Sequence, residues 1–295
     1  MYERLFSTNR RSRESLPSSL AGVAPRVFEL FAQSGRLIRR YRRSLAQDAS
    51  SLDFLSLDFG FDMSLPQESA TMAAALTLAQ ALEEELLSFS PPSASNLVDA
   101  GDENTPVQQY LILAEAFRCA ALLEIYRVFP TILYKRVPVT NDLTSSLCPD
   151  QDFNLQGLPI PPTQAPDTFL VSLAIHTLSL LELLPVTSGT RCLQPIIFIC
   201  AASELHFSSP STSDPFSLFS ETSAMAGGIG SSEVDIASAR RFAETRLEAY
   251  KGSLPAKPVI MALKLVRETW ERGDLGQEVF WMDVMDEMGW KTIFG

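Results

Sequence analysis

Apolar residues recur along this chain at helical spacing, most clearly near its end. Val259, Ala262, Leu263, Val266 and Trp270 follow the i, i+3, i+4, i+7, i+11 rhythm, while Lys264, Arg267, Glu268, Glu271 and Arg272 fill the opposite face. Pro258 suits the first position of this helix and Gly273 its exit. A second short helix is expected from near Gln277, with Trp281, Val284, Met285 and Met288 on its apolar side, so the two make a hairpin that closes a core. Earlier, Pro25 opens a helix to about Ala46 that turns Val27, Phe31, Ile38, Tyr41 and Leu45 inward. Ser64 and Gln67 suit a capping box for a helix that buries Met72, Leu76, Ala79, Leu82 and Leu86 and exposes Glu83, Glu84 and Glu85.

Thr105 and Pro106 read as N-cap and first residue of the longest helix, 106–129. Its core side is Val107, Leu111, Ala114, Phe117, Ala121, Ile125 and Val128. Glu115 reaches Arg118 and Glu124 reaches Arg127 at i+3, and Tyr110 and Tyr126 stand at the margin. Asp167 is expected to cap the apolar helix 168–184, which belongs at the bundle centre. Segment 190–206 follows, started or kinked by Pro195, and a helix from Glu233 buries Ile236, Ala243, Leu247 and Tyr250 before Gly252. With 14 glycines in 295 residues and little strict alternation, the expected fold class is all-α, a multi-helix bundle. Residues 1–20 read as a disordered arm and 21–295 as one helical domain. It is interrupted by a proline-rich linker, 136–166, and a serine-rich loop, 207–232, whose nine serines include candidates for phosphorylation.

Charge divides the chain. Residues 1–43 hold ten arginines against three glutamates, and the remainder carries a net −18, giving −11 in all. An acidic body repels phosphate backbones, so nucleic-acid contact is not expected from the main domain. A basic patch of Arg36, Arg39, Arg40 and Arg43 lies on the outer side of the first helix, read as a solvated face or, alternatively, as a contact for DNA phosphates or an import receptor. The start of the chain is polar and arginine-rich, unlike a secretory signal. Segment 169–184 carries His176 and Glu182 and falls short of a membrane span. Four cysteines without regular spacing read as reduced thiols.

Recognisable catalytic chemistry is sparse. Gly227, Gly228 and Gly230 follow no strand and precede no lysine, no Gly-x-Ser-x-Gly occurs, and the chain has two histidines in all. His176, Cys192, Cys200 and His206 have spacings that fit no compact zinc site and read as core residues. Asp283, Asp286 and Glu287 share a helix face and read as solvated. Neither a metal nor a cofactor is expected. Glu115, Arg118, Tyr126, His176, Glu182 and Glu204 lie on or beside strongly apolar helices. They are expected either to pair with one another or, with Glu115, Arg118, Tyr126, His176 and Glu204 as its candidate lining, to form an effector pocket in which Arg118 holds an anionic metabolite.

The terminal order, Trp270, then charged residues with Asp274, a glycine turn, and Trp281-x-x-Val284-Met285-x-Glu287-x-Gly289-Trp290, resembles the end of the fungal-specific transcription factor domain. Segments 24–40, 82–92, 115–130 and 176–189 match in the same order. This is the all-helical regulatory region that follows a binuclear zinc cluster in fungal regulators of the arginine-regulator and acriflavine-sensitivity-control type. The resemblance implies a non-enzymatic regulator in the nucleus, with the transcription machinery or other regulators as partners and a small-molecule effector in some cases. DNA is reached through the zinc cluster, whose six cysteines this chain does not have, so the DNA-binding module is expected to be absent. Two alternatives stand beside it, a stand-alone helical module that titrates partners and a helical enzyme acting on an apolar small molecule.

Overall fold

A computed structural model of the chain describes residues 25–55, 65–91, 105–136, 166–207 and 231–290. Among them the regular structure is helical: α1 (Pro25–Leu55), α2 (Leu65–Ser88), α3 (Val107–Val128), α4 (Pro130–Arg136), α5 (Pro166–Glu182), α6 (Gln194–Ala202), α7 (Ser231–Tyr250), α8 (Ala256–Asp274) and α9 (Trp281–Glu287), with a 3-10 turn at Gly189–Cys192. The expected all-α bundle is the fold observed.

The bundle is built around α3. Residues 119–126 of this helix are buried on every side, because α1, α2, α5 and α6 all pack on it. Phe28 and Phe31 of α1 meet Phe117 edge-on, and Tyr41 meets Phe129, so α1 runs parallel to α3. Arg26 bonding Glu85 sets α2 antiparallel to α1. α6 is more enclosed still, with all nine residues buried beneath α3, α5, α7 and α8. α7 and α8 pair antiparallel, as the contacts Arg240–Asp274 and Arg267–Glu244 require, and α9 folds back on α8.

Several expectations shift in detail. α1 runs beyond Ala46 to Leu55, and Leu45 is 46% exposed instead of inward. Met72 is 52% exposed, and Glu83, expected in solvent beside Glu84 and Glu85, is buried. Pro106 takes the N-cap position of α3, while the hydroxyl of buried Thr105 accepts from Gly189 N at 2.8 Å. α4 is a separate helix because Phe129, preceding Pro130, leaves the helical region at φ −122°, ψ 69°. α5 begins at Pro166, placing Asp167 in its first turn and not at its cap.

In the terminal hairpin all five expected core residues of α8 are buried. α8 starts at Ala256 and the turn is made by Gly276 at φ 75°, not by Gly273. Gly273 lies inside the helix, where a Cβ would stand 2.9 Å from the Cβ of His206. α9 starts at Trp281, four residues beyond Gln277, and Met288 is 40% exposed past its end. The Ser64 cap, arm 1–20, almost all of linker 136–166 and most of loop 207–232 lie outside the described residues.

Candidate functional site

The strongest concentration of buried polar groups lies where the terminal hairpin meets the bundle. Glu124 and Arg127 project from α3, Cys200 from α6 and Glu204 from just beyond it, and Trp281 opens α9. Glu124 is 5% exposed and accepts from Trp281 Nε1 at 2.8 Å through Oε1, while its Oε2 has no partner. The expected Glu124–Arg127 pair does not form. Arg127 instead stands 3.6 Å from buried Glu204 and donates to Val279 O at 3.1 Å, tying the segment before α9 to α3.

Two carboxylates with one cation between them cannot both hold charge cheaply in an apolar interior. Burial pushes the Glu124 carboxyl up to about 8, against the Trp281 bond and the nearby Cys200 thiol and with Glu204 adding to the rise. Burial likewise pushes Glu204 up to about 7, with Arg127 opposing. The Cys200 thiol is raised by burial and by Glu124. The junction therefore holds protons near neutral pH and joins segments more than 150 positions apart in sequence, Glu124 bonding Trp281 at a separation of 157.

A second fastening lies at the far end of α8. Arg240 grips Asp274 with two bonds, 2.8 and 2.6 Å, and donates to Leu205 O at 2.6 Å while stacking over Phe207 and Trp270. Trp270 Nε1 reaches Ala202 O at 2.6 Å. Burial raises Asp274, yet the bonds from Arg240 and Phe207 N outweigh it and the carboxyl is lowered overall.

The five residues considered for an effector pocket fall into three polar centres. Glu115 and Arg118 form a two-bond pair, 2.8 and 2.5 Å, on a half-buried part of α3. Burial raises Glu115, but Arg118 prevails and the carboxyl is lowered; burial lowers His176, with nearby Glu115 opposing. Tyr126 is fully buried elsewhere, donating to Glu83 at 2.8 Å, and Arg136 closes that centre with two 3.0 Å bonds to the same carboxylate. Glu204 belongs to the hairpin junction, and Glu182 is exposed.

Among the described residues no group of three or more His, Cys, Asp or Glu is arranged to hold a metal ion. Cys192 is exposed whereas Cys200 is buried. Asp283 pairs with Arg42, Glu287 with Arg272, and Asp286 faces solvent. Of the basic patch, Arg36, Arg40 and Arg43 are exposed and Arg39 is half-buried. No helix among the described residues is long and apolar enough to cross a membrane.

Compared with known proteins, the whole chain, residues 1–295, matches the fungal specific transcription factor domain. The chain belongs to that family. No curated protein and no solved structure matches it. Membership in that family supports a role in transcription regulation.

The sequence pattern missed the two residues that make the junction. Trp281 is recognisable as core, but nothing local announces that its indole N–H seeks a carboxylate in α3. Glu124 sits three residues before Arg127, a spacing that suggests a surface pair. Only the unbroken apolar run around it, from Ala120 to Ile125, signals that this glutamate is enclosed.

Proposed function

We propose that this chain is the regulatory part of a zinc-cluster type transcription regulator, without catalytic activity of its own. It acts in the nucleus, with the transcription machinery or other regulators as partners, and reaches DNA through a zinc module outside these residues. The family match over residues 1–295 carries this reading, and four cysteines are too few for a six-thiolate cluster within the chain itself. Residues 21–295 act as one helical unit preceded by the arm 1–20. The effector contact is assigned to Glu115, Arg118 and His176, with Tyr126 and Glu204 filling positions in the neighbouring buried centres. Arg118 is suited to it because an anionic ligand has only to replace the Glu115 carboxylate on a guanidinium that is already oriented.

The test is a fusion of the full chain to a heterologous DNA-binding domain, read on a reporter gene in a fungal cell across nutrient conditions. Reporter output is expected to differ from that of the DNA-binding domain alone and to change with condition. Arg118→Ala is expected to abolish the change while leaving the protein level intact. Output identical to the isolated DNA-binding domain under every condition defeats the regulatory reading.

A further inference from the structure

We propose that the outward face of α1 is a docking surface for an acidic segment of a partner protein, with Arg36, Arg40 and Arg43 as its contact row. Spacings of four and three put these side chains on one face of the helix, and all three are exposed. The row spans about 10 Å at the rise of an α-helix.

Most other arginines among the described residues pair with a carboxylate, Arg191, Arg241 and Arg246 being without one. Arg26 bonds Glu29 and Glu85, Arg42 bonds Asp283, Arg118 bonds Glu115, Arg136 bonds Glu83, Arg240 bonds Asp274 and Arg272 bonds Glu268 and Glu287. Carboxylates are not in short supply, since the chain has 35 Asp and Glu against 24 Lys and Arg. Yet among the described residues no carboxylate pairs with Arg36, Arg40 or Arg43. Three exposed arginines thus stand in a row along one helix face, in a chain whose residues 44–295 carry a net −18.

The row is rigid. Ile38 is fully buried, and Leu37 and Tyr41 pack against the core, so this turn of helix cannot unwind without exposing them. A partner therefore meets the arginines at helical spacing and does not capture the segment as an extended peptide. Guanidinium forks presented at this fixed backbone spacing suit two-bond recognition of carboxylates. A short acidic peptide covers the row and little else. Duplex DNA carries one charge per about 1.7 Å of axis and brings many of them against a body of net −18, which opposes it.

The experiment uses the full chain and fluorescence anisotropy with two labelled probes, a short poly-glutamate peptide and a short random-sequence DNA duplex, at physiological salt. The wild type is expected to bind the peptide more tightly than the duplex. The triple variant R36A/R40A/R43A, checked for unchanged helical circular dichroism, is expected to lose at least about tenfold in peptide affinity. R241A, which removes an exposed arginine of α7, is expected to bind as the wild type does. The proposal is overturned by peptide binding unchanged in the triple variant, by no peptide binding, or by tighter binding of the duplex. Self-association of the wild type that the triple variant loses also overturns it, since the row would then be occupied by a second copy.

Discussion

Glu83 and Glu124 are two glutamates enclosed to nearly the same degree, 1% and 5% exposed, in opposite electrostatic situations. Glu83 receives three bonds, from the Tyr126 hydroxyl and from both sides of the Arg136 fork, and its centre is complete. Glu124 receives the Trp281 indole on one oxygen, nothing on the other, and has a second buried carboxylate for a neighbour. The first is a fixed ion pair that locks α2, α3 and α4 together. In the second, burial raises the Glu124 carboxyl to about 8, so its attachment of the terminal hairpin is expected to respond to pH near neutrality. Depth alone does not determine what a buried acid does; the donors aimed at it do.

The contrast is broken most severely at Trp281. Trp281→Ala removes a large buried ring and the single donor to Glu124, and is expected to cost about 3–5 kcal/mol in chemical denaturation. Glu83→Ala tests the other side. It strips Arg136 and Tyr126 of their acceptor and is expected to cost about 2–3 kcal/mol, below the range for fully enclosed pairs because Arg136 keeps access to water.

Glu124→Gln separates the two centres by pH. The folded-state value for Glu124, about 8, lies above the ordinary carboxylate value of 4.5, so the native state keeps a proton that the unfolded chain releases. Its contribution is fully present below the unfolded value and is lost as pH rises through the folded one. Thermal melts should therefore show the wild type falling between about pH 6 and about pH 9 by on the order of 2 kcal/mol, with a flatter profile in the glutamine variant. A wild-type profile as flat as the variant's would mean that Glu124 is not protonated. The smallest effect is expected for Tyr126→Phe, about 1 kcal/mol and independent of pH over the same window, because it removes one bond from a carboxylate that Arg136 still holds.

The sequence discloses these two regions unequally. α8 is strongly amphipathic, and Val259, Ala262, Leu263, Val266 and Trp270 all go where their spacing sends them. α2, α3 and α6 carry apolar residues on more than one side, so periodicity identifies helices without saying which face turns inward. Glu83 is the clearest casualty. In a run of three glutamates it looks solvated, and its inward position depends on Tyr126, 43 residues on, and Arg136, 53 residues on. Local pairing also misleads, since Arg127 passes over Glu124 for Glu204 and Val279. Leu45, Met72 and Met288 have the correct spacing for burial but lie where no helix among the described residues covers them.

The enclosure of α6 has a consequence for how the chain is made. Nine residues are too few for a helix to persist alone in water, and Gln194–Ala202 is covered in part by α7 and α8, which leave the ribosome later. Each nascent chain thus passes through an interval in which Ile196, Ile197, Phe198 and Ile199 have emerged before part of their covering exists. During that interval these side chains are open to aggregation, and a premature stop between α6 and α8 is expected to release an aggregation-prone fragment and not a smaller working domain.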